Sequence, residues 1–207
     1  MKVYFVRHGE SVGNKANLHQ TTDMPLSDTG VAQANKIAER LKKFKIDYIL
    51  ASSVARAKET AEIISKSLSI PVEERRELAE AKGPSEIRGK SIKDPEAMKI
   101  KKLIRENFLK GNWKYSDEEN FDDLNERTQS FLEHILKDHK DHDLLCVSHA
   151  TLIKFMVCKM VFGAELTPRI FHLFFHHFWT SNTGLTVCEY EKESGWWIKH
   201  FNDASHL

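Results

Sequence analysis

The sequence predicts an α/β fold: a three-layer sandwich with a mostly parallel central sheet flanked by helices, plus a helical lid insertion. Three observations predict it. Short β-branched and aromatic runs alternate with stretches of helical period, as in sheets covered on both faces. Three of the runs break off into polar loops, at Arg7-His8-Gly9, Ser52-Ser53 and Ser148-His149. The region from about 83 to 122 has no strand pattern and carries a single amphipathic segment.

Taken in order, Lys2–Val6 is a strand that feeds the loop at Arg7. A helix follows from about Thr29 to Lys43, with Ser27 as N-cap and Val31, Ala34, Ala38 and Leu41 on one face. Asp47–Ala51 is the second strand. A helix from about Arg56 to Leu68 carries the stripe Ala57, Ala61, Ile64 and Leu68, and Pro71 stops it before a short strand at Val72-Glu73-Glu74. In the insertion, Ile100, Leu103, Ile104 and Phe108 share a face opposite Lys99, Lys101, Lys102 and Arg105. A further helix, from Asp123 to about Lys140, turns Leu124, Phe131 and Ile135 inward. Leu144–Val147 is the third buried strand, and Ala150–Phe162, apolar around most of its circumference, is a buried helix. Val187–Tyr190 and Trp196–Phe201 form a closing hairpin around Ser194-Gly195. The 207 residues suit one domain, 1–207, with the insertion inside it.

Bulk composition narrows the partners. Lys plus Arg is 31 and Asp plus Glu is 30, so no net field favours nucleic acid or a membrane surface. No apolar run reaches membrane-spanning length, and the N-terminus lacks a signal peptide's apolar core. The three cysteines, Cys146, Cys158 and Cys188, are widely spaced among apolar neighbours, which reads as reduced buried thiols and a cytoplasmic location.

Ligands of open α/β sheets bind beyond the carboxyl ends of the strands. If the three strands are neighbours, their loops bring Arg7, His8, Arg56 and His149 to one point. Such positive potential calls for a dianion, and a phosphomonoester fits, its oxygens held by arginine forks. Each residue alone has an ordinary reading: a surface histidine among eleven, a helix-opening arginine, a capping Ser148. The joint placement, each at the same end of its own strand, carries the argument.

These residues resemble the histidine phosphatase superfamily, which includes the phosphoglycerate mutases. Arg7-His8-Gly9-Glu10-Ser11 with Asn14 resembles its opening signature, and Asp23-x-Pro25-Leu26-Ser27-x-x-Gly30-x-x-Gln33-Ala34 its next block. Ser52-Ser53-x-x-Arg56-Ala57-x-x-Thr60-Ala61, Leu78-Ala79-Glu80, Ser148-His149 and Asn182-Thr183-Gly184 continue the match across almost the whole chain. The resemblance implies a metal-independent enzyme without cofactor. His8 is then the nucleophile, its tautomer set by a backbone carbonyl; Arg7, Arg56 and His149 hold the phosphoryl oxygens, with Asn14 adding a hydrogen bond; and Glu80 is general acid, then base.

Two positions depart from the family pattern. Ala150 follows the second histidine where many members have glycine, and the spacing around Glu80 is out of step by one, leaving Glu77 and Glu74 as alternative acids. The stretch Glu119 to Arg127, which resembles the family's segment before a long helix, is assigned no catalytic role. His172 and His176 have a zinc-compatible i, i+4 spacing without a further ligand nearby. With His177 and the phenylalanines around them, they read as a packed or pocket-lining segment. Hydrolysis of a small-molecule phosphomonoester or a phosphoprotein is the leading expectation. Phosphoglycerate mutase and a non-catalytic phospho-ligand binder are the alternatives.

Overall fold

A computed structural model describes residues 1–207. Six strands form one sheet in the order β3-β2-β4-β1-β5-β6: β1 Lys2–Arg7, β2 Tyr48–Ala51, β3 Val72–Glu74, β4 Leu144–Ser148, β5 Leu185–Glu191 and β6 Gly195–Asp203. The first four in that order are parallel, while β5 and β6 run antiparallel along one side. Seven helices cover it: α1 Val12–Lys15, α2 Asp28–Leu41, α3 Ala55–Leu68, α4 Pro95–Asn107, α5 Phe121–Asp138, α6 Ala150–Phe162 and α7 Pro168–His177.

The unbroken apolar runs of β1 and β4 belong to strands buried on both faces. Side chains alternate across the sheet, so each strand feeds two cores. Val3, Phe5, Leu144 and Cys146 join α5, α6 and α7 on one face. Tyr4, Val6, Leu145 and Val147 join α2 and α3 on the other. The three cysteines are free and buried; burial pushes the Cys158 and Cys188 thiols up to about 12 and that of Cys146 higher still. No helix is long and apolar enough to cross a membrane.

Several boundaries differ from expectation for local reasons. Helix α5 begins at Phe121 because Asn120 caps the Asp123 amide while Asp123 accepts from the Asn120 amide. The segment read as packed or pocket-lining is helix α7, which does line a cavity; its start is a capping Thr167 followed by Pro168. The insertion holds one α-helix, α4, between short 3-10 turns at Ser85–Ile87 and Phe108–Lys110. Its predicted faces are not segregated: Leu103 is exposed, whereas Lys101 and Arg105 share a cavity wall with Ile104 and Phe108.

Candidate active site

Parallel register builds the site. Val3 pairs with Leu144 and Arg7 with Ser148, while Ala51 pairs with Val147, so the three strands end at one level. With β4 between β1 and β2, the loops carrying His8, Ser52 and His149 leave the same edge. The His8 amide donates to the Ser148 carbonyl at 2.9 Å and the Ser52 amide to Val147 at 3.0 Å.

The loop after β1 is held tightly. The Gly9 amide donates to Thr60 Oγ1 at 3.1 Å, and Asn182 Nδ2 donates to the His8 carbonyl at 2.9 Å. Ser27 Oγ donates to the Glu10 carboxylate at 2.6 Å, and the Glu10 amide donates to Gln33 Oε1 at 2.8 Å. A Cβ on Gly30 would sit 1.9 Å from the Glu10 carbonyl, so glycine is needed there for close approach. The block from Leu26 to Gln33 thus supports the loop that carries His8.

His8 is buried, and its ring is oriented by its own loop: Nδ1–H donates to the Gly9 carbonyl at 2.6 Å, leaving Nε2 as an acceptor for the Arg56 Nε–H at 3.2 Å. Desolvation, with Arg56 and Arg7 nearby, holds the His8 pKa well below 6.5 despite the Gly9 bond. Arg56 is buried too, anchored to the Thr21 carbonyl at 2.9 Å, and desolvation lowers its pKa to about 10. Arg7 donates to the Thr180 carbonyl at 2.6 Å while its Nε, also buried, has no partner; desolvation lowers its pKa and Glu80 partly restores it.

His149 lies against His8, with ring centroids 5.0 Å apart. Its Nε2 hydrogen-bonds Ser52 Oγ at 2.9 Å, and its Nδ1 is buried without a partner. Desolvation first, then His8, Arg56 and Arg7, keep it neutral well below the ordinary histidine range. Ser148 does not cap α6; its hydroxyl donates to the Leu78 carbonyl at 2.7 Å and so ties the Glu80 segment to β4.

Glu80 takes the amide of Ala81 at 2.9 Å and those of Thr151 and Leu152, in the first turn of α6, at 3.3 and 3.2 Å. Helix N-termini offer such unpaired amides to carboxylates. Glu74 instead pairs with Lys58 at 2.7 Å, and Glu77 faces a separate surface hollow with Glu126 and Ser130. Of the three glutamates, Glu80 is the one that meets the start of α6, just after His149, and whose field reaches Arg7 and Arg56. Arg127 fixes its segment: Nη1 donates to the carbonyls of Glu77 and Ala79 at 2.7 and 2.8 Å, while Nε and Nη2 each donate to Glu119 at 2.8 Å. This bracing role was not read from the sequence, although the Glu-then-Arg pairing around the start of α5 was visible there. Asn14 approaches through Asn182, whose Nδ2 is 3.5 Å from Asn14 Oδ1; that oxygen also accepts from the Ser11 amide at 3.2 Å.

A cavity of about 480 Å³ adjoins the Glu80 segment: Ala81 and Thr151 line it, and α4, α7 and the start of α5 wall it. His172 and His176 line it with their rings 4.5 Å apart, and no third metal ligand converges on them.

Known proteins share this architecture. A family model described as histidine phosphatase superfamily (branch 1) matches residues 3–204. The chain is 30% identical to an uncharacterized phosphatase, PhoE, of Bacillus subtilis (strain 168), covering 99% of this chain and 96% of that one. It is 29% identical to a probable phosphoglycerate mutase, GpmB, of Photorhabdus laumondii, covering 100% and 95%. The structure of a putative alpha-ribazole-5'-P phosphatase from Escherichia coli superposes with a TM-score of 0.84 at 19% identity, covering 98% of this chain and 96% of that one. With its sheet, its loops and its sequence matching from end to end, the chain belongs to the histidine phosphatase superfamily.

Proposed function

We propose that the protein hydrolyses phosphomonoesters in the cytoplasm through a phosphohistidine on His8. The observation that carries this reading is a set of unfinished hydrogen bonds. Arg7 Nε and His149 Nδ1 are buried without partners, beside His8, whose Nε2 accepts from Arg56. An unpaired buried donor costs about 1–3 kcal/mol, and a phosphoryl group among these residues removes that cost.

In the first step His8 Nε2 attacks phosphorus as the ester oxygen leaves, and Glu80 gives that oxygen a proton. The Nδ1–H to Gly9 bond stabilises the ring as it takes on positive charge. Arg7, Arg56 and His149 hold the equatorial oxygens, and the Asn14 amide adds a donor. In the second step water attacks the phosphohistidine, Glu80 takes the water's proton, and inorganic phosphate leaves from a regenerated His8. Charge is supplied by side chains throughout, so the scheme requires neither metal nor cofactor. Helix α4 acts as the lid over the leaving-group cavity within a single domain, 1–207.

Similarity to the probable mutase supplies a second reading, transfer between two positions of a phosphoglycerate. The cavity favours hydrolysis, because its wall includes the exposed residues Met98, Lys101 and Arg105 and so is open to water next to the Glu80 segment.

A rapid-quench experiment tests the mechanism. Enzyme stopped in mid-turnover should carry an acid-labile, base-stable phosphate that His8→Ala lacks. Near-normal turnover by a folded His8→Ala variant would overturn it. Given 3-phosphoglycerate with a bisphosphoglycerate primer, interconversion far faster than phosphate release would exchange the two readings.

A further inference from the structure

The cavity beside Glu80 carries more chemistry than a generic leaving group needs. Its volume of about 480 Å³ lies in the range that encloses drug-sized ligands. A three-carbon alcohol would leave most of it empty. Its inner wall is aromatic: Phe108 meets Phe121 edge-on at 6.4 Å and Phe171 at 6.0 Å, and Phe175 continues the surface. Rings so placed favour a flat apolar body.

The charges on the wall are of two kinds. Most are already paired. Lys82 is bound to Asp117 at 3.1 Å, and Glu119 to Arg127 at 2.8 Å. Lys102 lies 3.8 Å from Glu106. Glu118 is buried, and its carboxylate is taken up by the amides of Tyr115 and Ser116 at 2.5 and 2.8 Å. Lys101 and Arg105 are the exceptions. Each lines the cavity, and neither has a carboxylate at ion-pair distance. At i and i+4 on α4 they lie on one face about 6 Å apart along the axis. Lys101 is exposed to the solvent in the cavity but crowded by protein; desolvation lowers its pKa, and the fields of Glu80 and Glu118 partly restore it. His172 and His176, on the facing helix, also line the cavity, and His176 lies within the field of Arg105.

We infer that the physiological leaving group is an amphiphilic alcohol, with an apolar and ring-sized body against Phe108, Phe121 and Phe175 and an anionic group held by Lys101 and Arg105. The inference rests on the phosphatase reading and adds to it the substrate class. Lys101 and Arg105 are specificity residues that act on binding, not on the transferred phosphoryl group.

Two matched esters test it: 2-naphthyl phosphate and 6-carboxy-2-naphthyl phosphate. The wild-type enzyme should favour the carboxylated ester in kcat/KM by about tenfold or more, equivalent to about 1.4 kcal/mol. In a Lys101→Gln/Arg105→Gln variant that ratio should fall to about one; glutamine preserves helix propensity, and both positions are exposed. Calorimetry with the alcohols alone, 2-naphthol and 6-hydroxy-2-naphthoate, asks the same question without turnover. The naphthoate should bind the wild-type protein more tightly, and the double variant should lose the difference. Equal handling of both pairs by the wild type, or a preference that survives in the double variant, overturns the inference. If neither ester is hydrolysed yet the naphthoate binds through both cations, the recognition chemistry stands and the phosphatase reading alone falls.

Discussion

Arg56 Nε points at His8 Nε2 across 3.2 Å, which places a guanidinium on the one ring nitrogen that Gly9 leaves free. The contact occupies the Nε2 lone pair and, with desolvation, keeps the ring neutral, so in the proposed mechanism an arriving phosphoryl group draws the guanidinium off that nitrogen. Arg56→Ala should therefore raise the His8 pKa, because the cation is removed while desolvation remains. It should also lower kcat/KM by roughly 10²–10³-fold, the cost of one missing transition-state donor. Histidine NMR titration and steady-state kinetics check the two effects; an unchanged His8 pKa would show that Arg56 does not act on the ring. Arg56→Lys should recover charge but not the fork, and hence only part of the rate.

Glu80→Gln should cost about 10²–10⁴-fold on alkyl phosphates. With p-nitrophenyl phosphate, whose leaving group needs little protonation, phosphohistidine formation should suffer far less. The measurement is a rapid-quench burst of phenolate, since steady-state rates include the water step. Equal losses on both esters would make Glu80 a structural cap of α6, to which it already accepts two amides.

Arg127 grips the Glu77 and Ala79 carbonyls and so aims Glu80. Arg127→Gln should reproduce the leaving-group dependence of Glu80→Gln at smaller size, about tenfold on alkyl esters. A uniform loss on all esters would mean that Arg127 only stabilises the fold.

His8 and His149 are buried and neutral, with pKa values far below the unfolded value of about 6.5. The unfolded chain therefore binds more protons as pH falls through about 6.5, and stability declines below that point. Each histidine adds a slope of up to about 1.4 kcal/mol per pH unit. Denaturant unfolding between pH 7.5 and 5 should show this decline, and His149→Asn should reduce the slope by one proton. A slope unchanged in that variant would refute the assignment.

In the proposed mechanism the reaction's charge is met by Arg7, Arg56 and His149, so activity should survive excess EDTA. Vanadate, which copies the trigonal-bipyramidal geometry, should compete with substrate. Loss of activity on chelation, restored by a divalent ion, would count against the side-chain-only scheme.

Much of this arrangement was legible in residues that obey local rules. Lys2–Val6 and Leu144–Val147 announce doubly buried strands by their unbroken apolar runs, and their polar ends give the loops of Arg7, His8 and His149. Ser27 does cap α2, as its hydroxyl meets the Gly30 amide at 3.1 Å. What escaped depends on contacts remote in sequence. The bracing of Glu80 by Arg127 spans 48 residues to Ala79. The mixed face of α4 escaped because hydrophobic period assigns Lys101 and Arg105 to water, and the wall of an open cavity satisfies the same rule. Choosing among Glu74, Glu77 and Glu80 needed the start of α6, which no spacing within 74–80 encodes.

The contact between Gly30 and the Glu10 carbonyl leaves no room for even a methyl group. The start of α2 and the histidine loop are therefore packed backbone against backbone. A substitution that shifts the start of α2 should displace the Glu10 backbone and, with it, the loop that carries His8. Suppressors of a damaged α2 should then arise in the His8 loop, and tolerance to change at position 30 should be lower than at many positions that border the proposed phosphoryl site.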